Sequence, residues 1–240
     1  MDLPRYGTLN QEYLASWFGR DDPGGPMWAL NLMKYRPIAD YADGRETTLT
    51  GEQADDLYAP HGPLAEIGGR VIFGAPVVHQ LVGDDTKWDR VAIAQYLYRT
   101  ALIEMNMRPD FQELHVHKDA GMEFTIVMGT FPAEGEPVPE QVSGADPDQL
   151  LLLQVVAAAS IPDLADGIES TRIGRFEVEG AFLGDGRMFA EARYDLISRS
   201  VADELVGRGS MHDDANYVLI VDPAIDDLAR SLTDPTRVLP

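Results

Sequence analysis

Trp28-Ala29-Leu30-Asn31-Leu32-Met33-Lys34-Tyr35-Arg36 decides the fold. The stretch follows a turn, Pro23-Gly24-Gly25-Pro26, and alternates like a strand. Trp28, Leu30 and Leu32 share one face, and Ala29, Asn31, Met33 and Tyr35 share the other. One face can seal a core. The other carries an amide, a thioether and a phenol, an unusual set for a strand with nothing to bind. The strand therefore reads as the floor of a pocket.

Helical and strand patterns alternate on either side of it. Residues 8–19 read as a short helix capped by Asn10, with Tyr13, Leu14, Trp17 and Phe18 on one face. A long polar segment follows the first strand, placed to act as a lid over residues 37–58. A helix begins at Thr50 and runs to about Ile67, interrupted at Pro60–Pro63 and ended by Gly68-Gly69. Two strands, residues 70–82 and 87–98, flank a hairpin signal at Gly83-Asp84-Asp85-Thr86. Helical patterns at 99–107 and 110–117 lead to a strand over 123–131. The order is β-α-β-β-α-β.

A Pro-, Gly- and acid-rich linker, residues 132–148, separates this half (1–131) from the remainder (149–240). There the pattern repeats: a strand at 151–159, a helix at 161–173, a hairpin of strands 175–183 and 187–197, a helix at 198–207 and a strand at 216–221. Two such units predict an α+β chain of two tandem ferredoxin-like halves. Each half leaves one apolar sheet face bare, and the economical solution packs the two bare faces into one intrachain barrel. The first half, with the insertion, is expected to hold the site, and the second to support it.

Composition narrows the chemistry. With 240 residues, 45% of them apolar, the chain can bury a sizeable core. Forty acids against 19 bases give a net charge of −21. That balance argues against binding nucleic acid or an anionic membrane surface. There is no cysteine, so disulfides, thiolate metal sites and a Cys nucleophile are excluded. The N-terminal residues lack the basic and apolar regions of a signal peptide, and no apolar run is long enough to cross a bilayer, so a cytoplasmic location is expected. No GxGxxG, GxxxxGK[ST] or GxSxG pattern occurs.

Several side chains are candidates for chemistry. Asn31 could hydrogen-bond a carbonyl or peroxy oxygen of a ligand, or satisfy a neighbouring backbone group. Tyr35 and Trp88 could stack on an aromatic ligand or belong to the core. Met33 and Phe73 could shape a cavity beside them. Arg90, in phase with Trp88, could hold a phenolate or a flavin phosphate. His61, held in Ala-Pro-His-Gly-Pro, and His79, in phase with Phe73, Ala75 and Val77, could each serve as acid or base. His115 and His117 flank one residue and invite a metal reading, but on a helix two residues apart diverge, and no HExxH or 2-His-1-carboxylate pattern completes a site. No metal is expected, and single-residue roles suit that pair better.

The order of elements resembles the dimeric α+β barrel superfamily, which includes antibiotic-biosynthesis and haem-degrading monooxygenases. The segments NLMKYR, IGGRVIFGAPV, KWDRVAIAQY and DFQELHVHKDAGME, within residues 28–131, resemble the oxygenases that open a ring of angucycline polyketides in jadomycin, gilvocarcin and kinamycin pathways. This resemblance implies an oxygenase tailoring a polycyclic aromatic polyketide with dioxygen. Reduced flavin (FADH2 or FMNH2) would be a co-substrate, or no cofactor would be needed. The implied partners are a small aromatic substrate and a flavin reductase, with a homodimer open. Superfamily relatives place an Asn on the first strand, a Trp on the third and a His on the second helix. Asn31, Trp88 and His115 or His117 stand at those elements, though Trp88 opens its strand and the His pair lies late. A non-oxidative cyclase or isomerase, and a ligand-binding barrel without catalysis, are the alternatives.

Overall fold

The computed structural model describes residues 3–18, 25–135 and 148–234. In chain order the elements are β1 (Thr8–Leu9), α1 (Gln11–Ala15), β2 (Met27–Tyr35), α2 (Gly51–Tyr58), α3 (His61–Glu66), β3 (Arg70–Gly83) and β4 (Arg90–Tyr96). Next come α4 (Ala101–Asn106), α5 (Pro109–Gly121), β5 (Met122–Pro132), β6 (Gln149–Val156), β7 (Thr171–Gly184) and β8 (Glu191–Ser198). The chain continues through α6 (Arg199–Gly207), β9 (Met211–His212), β10 (Tyr217–Val221), β11 (Ile225–Asp226) and α7 (Leu228–Thr233). Most of the linker and the Pro23-Gly24 part of the first turn lie outside the described residues.

Eight strands form an antiparallel barrel in the order β7-β5-β2-β4-β3-β10-β6-β8, closed by pairing of β8 with β7. β2 is central in its part of the sheet. It pairs with β4 through Asn31↔Ala92 and with β5 through Asn31↔Val127. Two seams join strands from before and after the linker: β3 with β10 and β5 with β7. Closure leaves no free edge among these eight strands.

Alternation sorts the side chains of β2 as expected. Trp28, Leu30 and Leu32 enter one apolar cluster together with residues from all seven other barrel strands, including Val91, Phe73, Ile126, Leu153, Phe176, Tyr194 and Leu219. A cluster fed by every strand fills the barrel interior. One end is covered by α7, where the Trp28 indole N–H donates to Ser231 Oγ at 2.8 Å. Ala29, Met33 and Tyr35 face outward, into a second cluster with Leu64, Met105, Phe111 and Phe182. The opening strand is thus buried on both faces, between the barrel core and a layer of helices.

Local signals explain the helix boundaries. Asn10 caps α1 by accepting from Tyr13 N at 3.0 Å, and Thr50 with Gln53 forms a capping box on α2. The expected interruption falls at Ala59-Pro60, which separates α2 from α3, and Pro63 lies within the first turn of α3. α2 and α5 meet backbone to backbone. A Cβ on Gly51 would overlap the Gly121 carbonyl oxygen, and Arg36 binds both residues, donating to Gly121 O (2.9 Å) and accepting from Gly51 N (3.0 Å).

The structure differs from expectation at three elements. Residues 8–19, expected as one helix, hold the strand β1 paired with β7 and a helix only over Gln11–Ala15. The helix expected over 161–173 is a single 3-10 turn, Leu164–Gly167, and β7 already begins at Thr171. Asp163 explains it. Its carboxylate caps that turn at Ala165 N (3.0 Å) and ties Gln154 and Arg172, both at 2.6 Å, and these local bonds compete with helical ones. The lid expected over 37–58 divides in two. Residues 37–50 pack against both α2 and α5, where Ala39, Tyr41 and Leu49 cluster with Ala54 and Ala120, while Asp55 of α2 reaches Tyr35 and Arg90 on the sheet.

Candidate functional site

A cavity of about 540 Å³ opens between the outer face of β2, β3 and β4 and the helices α2 to α5. The barrel interior next to it is filled. The walls are mostly apolar, with Leu14, Val71, Ala92, Leu102, Ile103 and Phe111 among them. A small polar set converges on one side: Asn31 from β2, Arg90 from β4, Asp55 from α2, and His115 and Lys118 from α5, with Tyr6. An apolar chamber of this size with few polar groups is the usual form of a small-molecule site.

His115 is the best-placed acid–base group. Its Nε2 lies 2.8 Å from the Tyr6 hydroxyl. Phe111 packs against its ring at 5.4 Å and Tyr58 edge-on at 6.2 Å. Burial, with the Lys118 charge adding to it, pushes the imidazole down to about 4, so it is neutral at pH 7. Burial pushes the Tyr6 phenol well up, so it stays a hydrogen-bonding hydroxyl. The pair offers an uncharged imidazole and a phenol against an apolar chamber.

Asp55 anchors a second group. It accepts from the Tyr35 hydroxyl at 2.7 Å and from Arg90 Nη1 at 3.1 Å. Arg90 also holds Asp56 (3.1 Å) and Glu52 (3.0 Å). Three carboxylates on α2 therefore occupy this one guanidinium. Lys118 lines the chamber with its Nζ 5.0 Å from the centre of the Tyr58 ring. Burial lowers its proton affinity, and Asp55 opposes that.

The structure brings together Asn31, Met33, His61, Arg90 and His115, all of which line the cavity. Asn31 is 9% exposed, and its Nδ2 donates to Ala29 O at 2.9 Å. His61 sits exposed at the rim, at the start of α3. Other candidates lie elsewhere. Trp88 is in the barrel interior, stacked on Phe124 at 5.6 Å and edge-on to Tyr217. β4 begins only at Arg90, so Trp88 does not share that strand's alternation with Arg90. Phe73 also points into the barrel. His79 is outside the cavity, with Nε2 3.3 Å from Ser210 Oγ. Its in-phase neighbours Phe73, Ala75 and Val77 belong to the barrel-interior cluster and not to the cavity wall, and a register shift opposite β10 between Val77 and His79 ends that phase before His79. Tyr35 stands behind Asp55 and shapes the site through that bond. Arg90 is held by α2 and does not offer its guanidinium to a ligand. His115 and His117 diverge as helical residues must, and His117 Nδ1 meets the Tyr41 hydroxyl at 2.7 Å.

Sequence reasoning missed Lys118, Tyr6 and Asp55. Lys118 carried a signal: it lies three residues after His115 on one helix, which places the two on the same face. Tyr6 carried none, because its partner is 109 residues away.

No family model matches the chain, and no curated protein matches it. Two solved structures are similar to it. "Crystal structure of methylated RPA0582 protein" is 33% identical, with 56% of this chain and 100% of that chain covered and a TM-score of 0.48. "RPA0582- protein of unknown function from Rhodopseudomonas palustris", a structural genomics target, is 31% identical over 55% of this chain and 98% of that one, with a TM-score of 0.47. Among the described residues, no helix is long and apolar enough to cross a membrane.

Proposed function

We propose that the chain is an oxygenase acting on a polycyclic aromatic substrate of polyketide type, held in the cavity beside β2. The observation that carries this reading is the apolar chamber with Asn31 and the Tyr6–His115 pair on its wall. A flat polycycle fits between such walls, and a few fixed polar groups suffice when the substrate supplies the electrons. Dioxygen bonds to an electron-rich ring carbon of the deprotonated substrate. The resulting peroxide loses water, so one oxygen atom stays on the ring and the other leaves with two hydrogens from the substrate. His115 with Tyr6 handles the proton, and the Asn31 amide faces the developing oxyanion.

The strand orders support the finer architectural reading. β5-β2-β4-β3 and β10-β6-β8-β7 are the same order in two successive units, as two ferredoxin-like halves joined into an α+β barrel require. The antibiotic-biosynthesis monooxygenase superfamily, its angucycline-opening members and a cytoplasmic location are part of the same proposal.

Reduced flavin fits the site poorly. The sequence candidate for its phosphate, Arg90, is already held by Glu52, Asp55 and Asp56, and the other cation on the walls, Lys118, is only 8% exposed. Activation of oxygen by the substrate alone is therefore preferred, without a partner reductase.

Oxygen consumption by the purified protein with a hydroxylated anthrone, measured with and without a flavin-reducing system, tests the reading. Uptake without flavin is expected, and Asn31→Ala should cut it at least tenfold while leaving the melting temperature within a few degrees. Substrate conversion without uptake would instead mark a cyclase or isomerase.

A further inference from the structure

Two cations line the cavity, and they differ in one respect. Arg90 is held by Glu52, Asp55 and Asp56. Lys118 is 8% exposed, and among the described residues its Nζ has neither a hydrogen-bond acceptor nor a carboxylate within ion-pair distance. What it has is the Tyr58 ring face at 5.0 Å. A cation–π contact of this kind contributes only about 0.5–2 kcal/mol, and an ammonium on a side chain this buried, opening only onto an apolar chamber, is costly without an acceptor oxygen. The nearby Asp119 is bound by Arg5, and Asp55 by Arg90 and Tyr35. A satisfying oxygen must come from whatever fills the chamber.

His115 points to the same need. An imidazole pushed down to about 4 is a weak base for a phenol, whose ordinary pKa is about 10. Proton removal from a hydroxyaromatic here requires a positive charge beside the oxygen left behind. Lys118 follows His115 by one helical turn of α5, so both reach the same end of the ligand.

We infer that Lys118 is an anion anchor: the cavity selects an aromatic ligand carrying one anionic oxygen, a carboxylate or phenolate, and seats that oxygen on Nζ. This rests on the cavity being the aromatic site proposed above. The remaining charged or titratable groups on its walls are arranged to permit it: Asp55 is neutralised by Arg90, His115 is uncharged, and Asp56 and His61 lie at the exposed rim.

Titration calorimetry at pH 7.5 with an anthraquinone carboxylate and its uncharged carboxamide tests the anchor without any turnover. The wild type should bind the carboxylate at least tenfold more tightly. Lys118→Met should bring the two affinities within twofold, and Lys118→Arg should keep a preference for the anion. Lys118→Met should also melt no lower than the wild type, because it removes an unpaired buried charge. If that variant fails to fold, the wild-type ratio and Lys118→Gln decide the matter. Equal wild-type affinities, or a preference surviving in Lys118→Met, overturn the anchor alone and leave the aromatic cavity standing. Failure of both probes to bind overturns the cavity reading and the anchor with it.

Discussion

Acid should destabilise this protein through His115 in a way that a single substitution removes. The imidazole falls from an ordinary 6.5 to about 4 in the folded chain. The protonated form is thus disfavoured by folding, and the unfolded chain binds that proton more tightly. Stability from keeping His115 neutral is fully present above pH 6.5 and is lost as pH falls toward 4. Each tenfold change in proton affinity is worth about 1.4 kcal/mol, so the whole loss comes to about 3 kcal/mol. Between pH 7 and pH 5 it comes to about 2 kcal/mol. For a chain of this length that corresponds to a fall in Tm of about 4–8 °C. Asp84, Asp163 and Asp185, whose carboxyls are held low by arginine partners, lose their contributions at more acidic pH. Asp195 and Asp226, raised by burial, act in the opposite sense. All of these are common to wild type and variant. The assay is chemical denaturation from pH 7.5 to 4.5 of wild type and His115→Gln, whose amide can still meet the Tyr6 hydroxyl. The stability difference between them should shift by about 2 kcal/mol in favour of the variant on going from pH 7 to pH 5. Parallel profiles would refute the reasoning, because they would mean that His115 is solvated in the folded state.

Two further substitutions separate core from site. Trp88→Leu should lower stability by about 2–3 kcal/mol, since the barrel interior cannot collapse on the missing ring, while ligand affinity stays within twofold; a selective loss of binding would return Trp88 to the cavity wall. Gly51→Ala should cost about 1–3 kcal/mol through overpacking, and it should also weaken ligand binding, because Asp55 and Lys118 ride on the two helices it forces apart. An unchanged melting temperature in that variant would show that α2 and α5 do not touch as described.

How much of this was legible in the sequence varied with the reach of the signal. The alternation in residues 28–36 declared a two-faced strand, and Asn10, Thr50 and the Gly83–Thr86 turn declared their boundaries, because each signal acts within a few residues. Which face of β2 met the barrel core could not be read, because both faces are buried and both are rich in apolar groups. Trp88 and Phe73 were misplaced for that reason: an aromatic on a strand looks the same from either side. His79 failed because the residues it was in phase with, Phe73, Ala75 and Val77, face the barrel interior, and a register shift after Val77 ends that phase as well. The helix expected at 161–173 failed because Asp163 binds Gln154, Arg172 and the turn backbone, contacts that depend on the folded neighbours. Lys118 was passed over because its significance lies in a missing partner, and absence of a partner is a three-dimensional property.

The seams between β3 and β10 and between β5 and β7 have a thermodynamic consequence. In a barrel assembled from two separate chains, closure would be governed by mass action, and dilution would open it. Here both sides of each seam belong to one covalent chain, so closure of the barrel itself is unimolecular and dilution does not open it. Nor does any symmetry axis oblige the two sides to match. One can hollow out a chamber under its helices while the other locks its corresponding face with Asp163, Arg172 and Asp195, and neither change is copied into its counterpart.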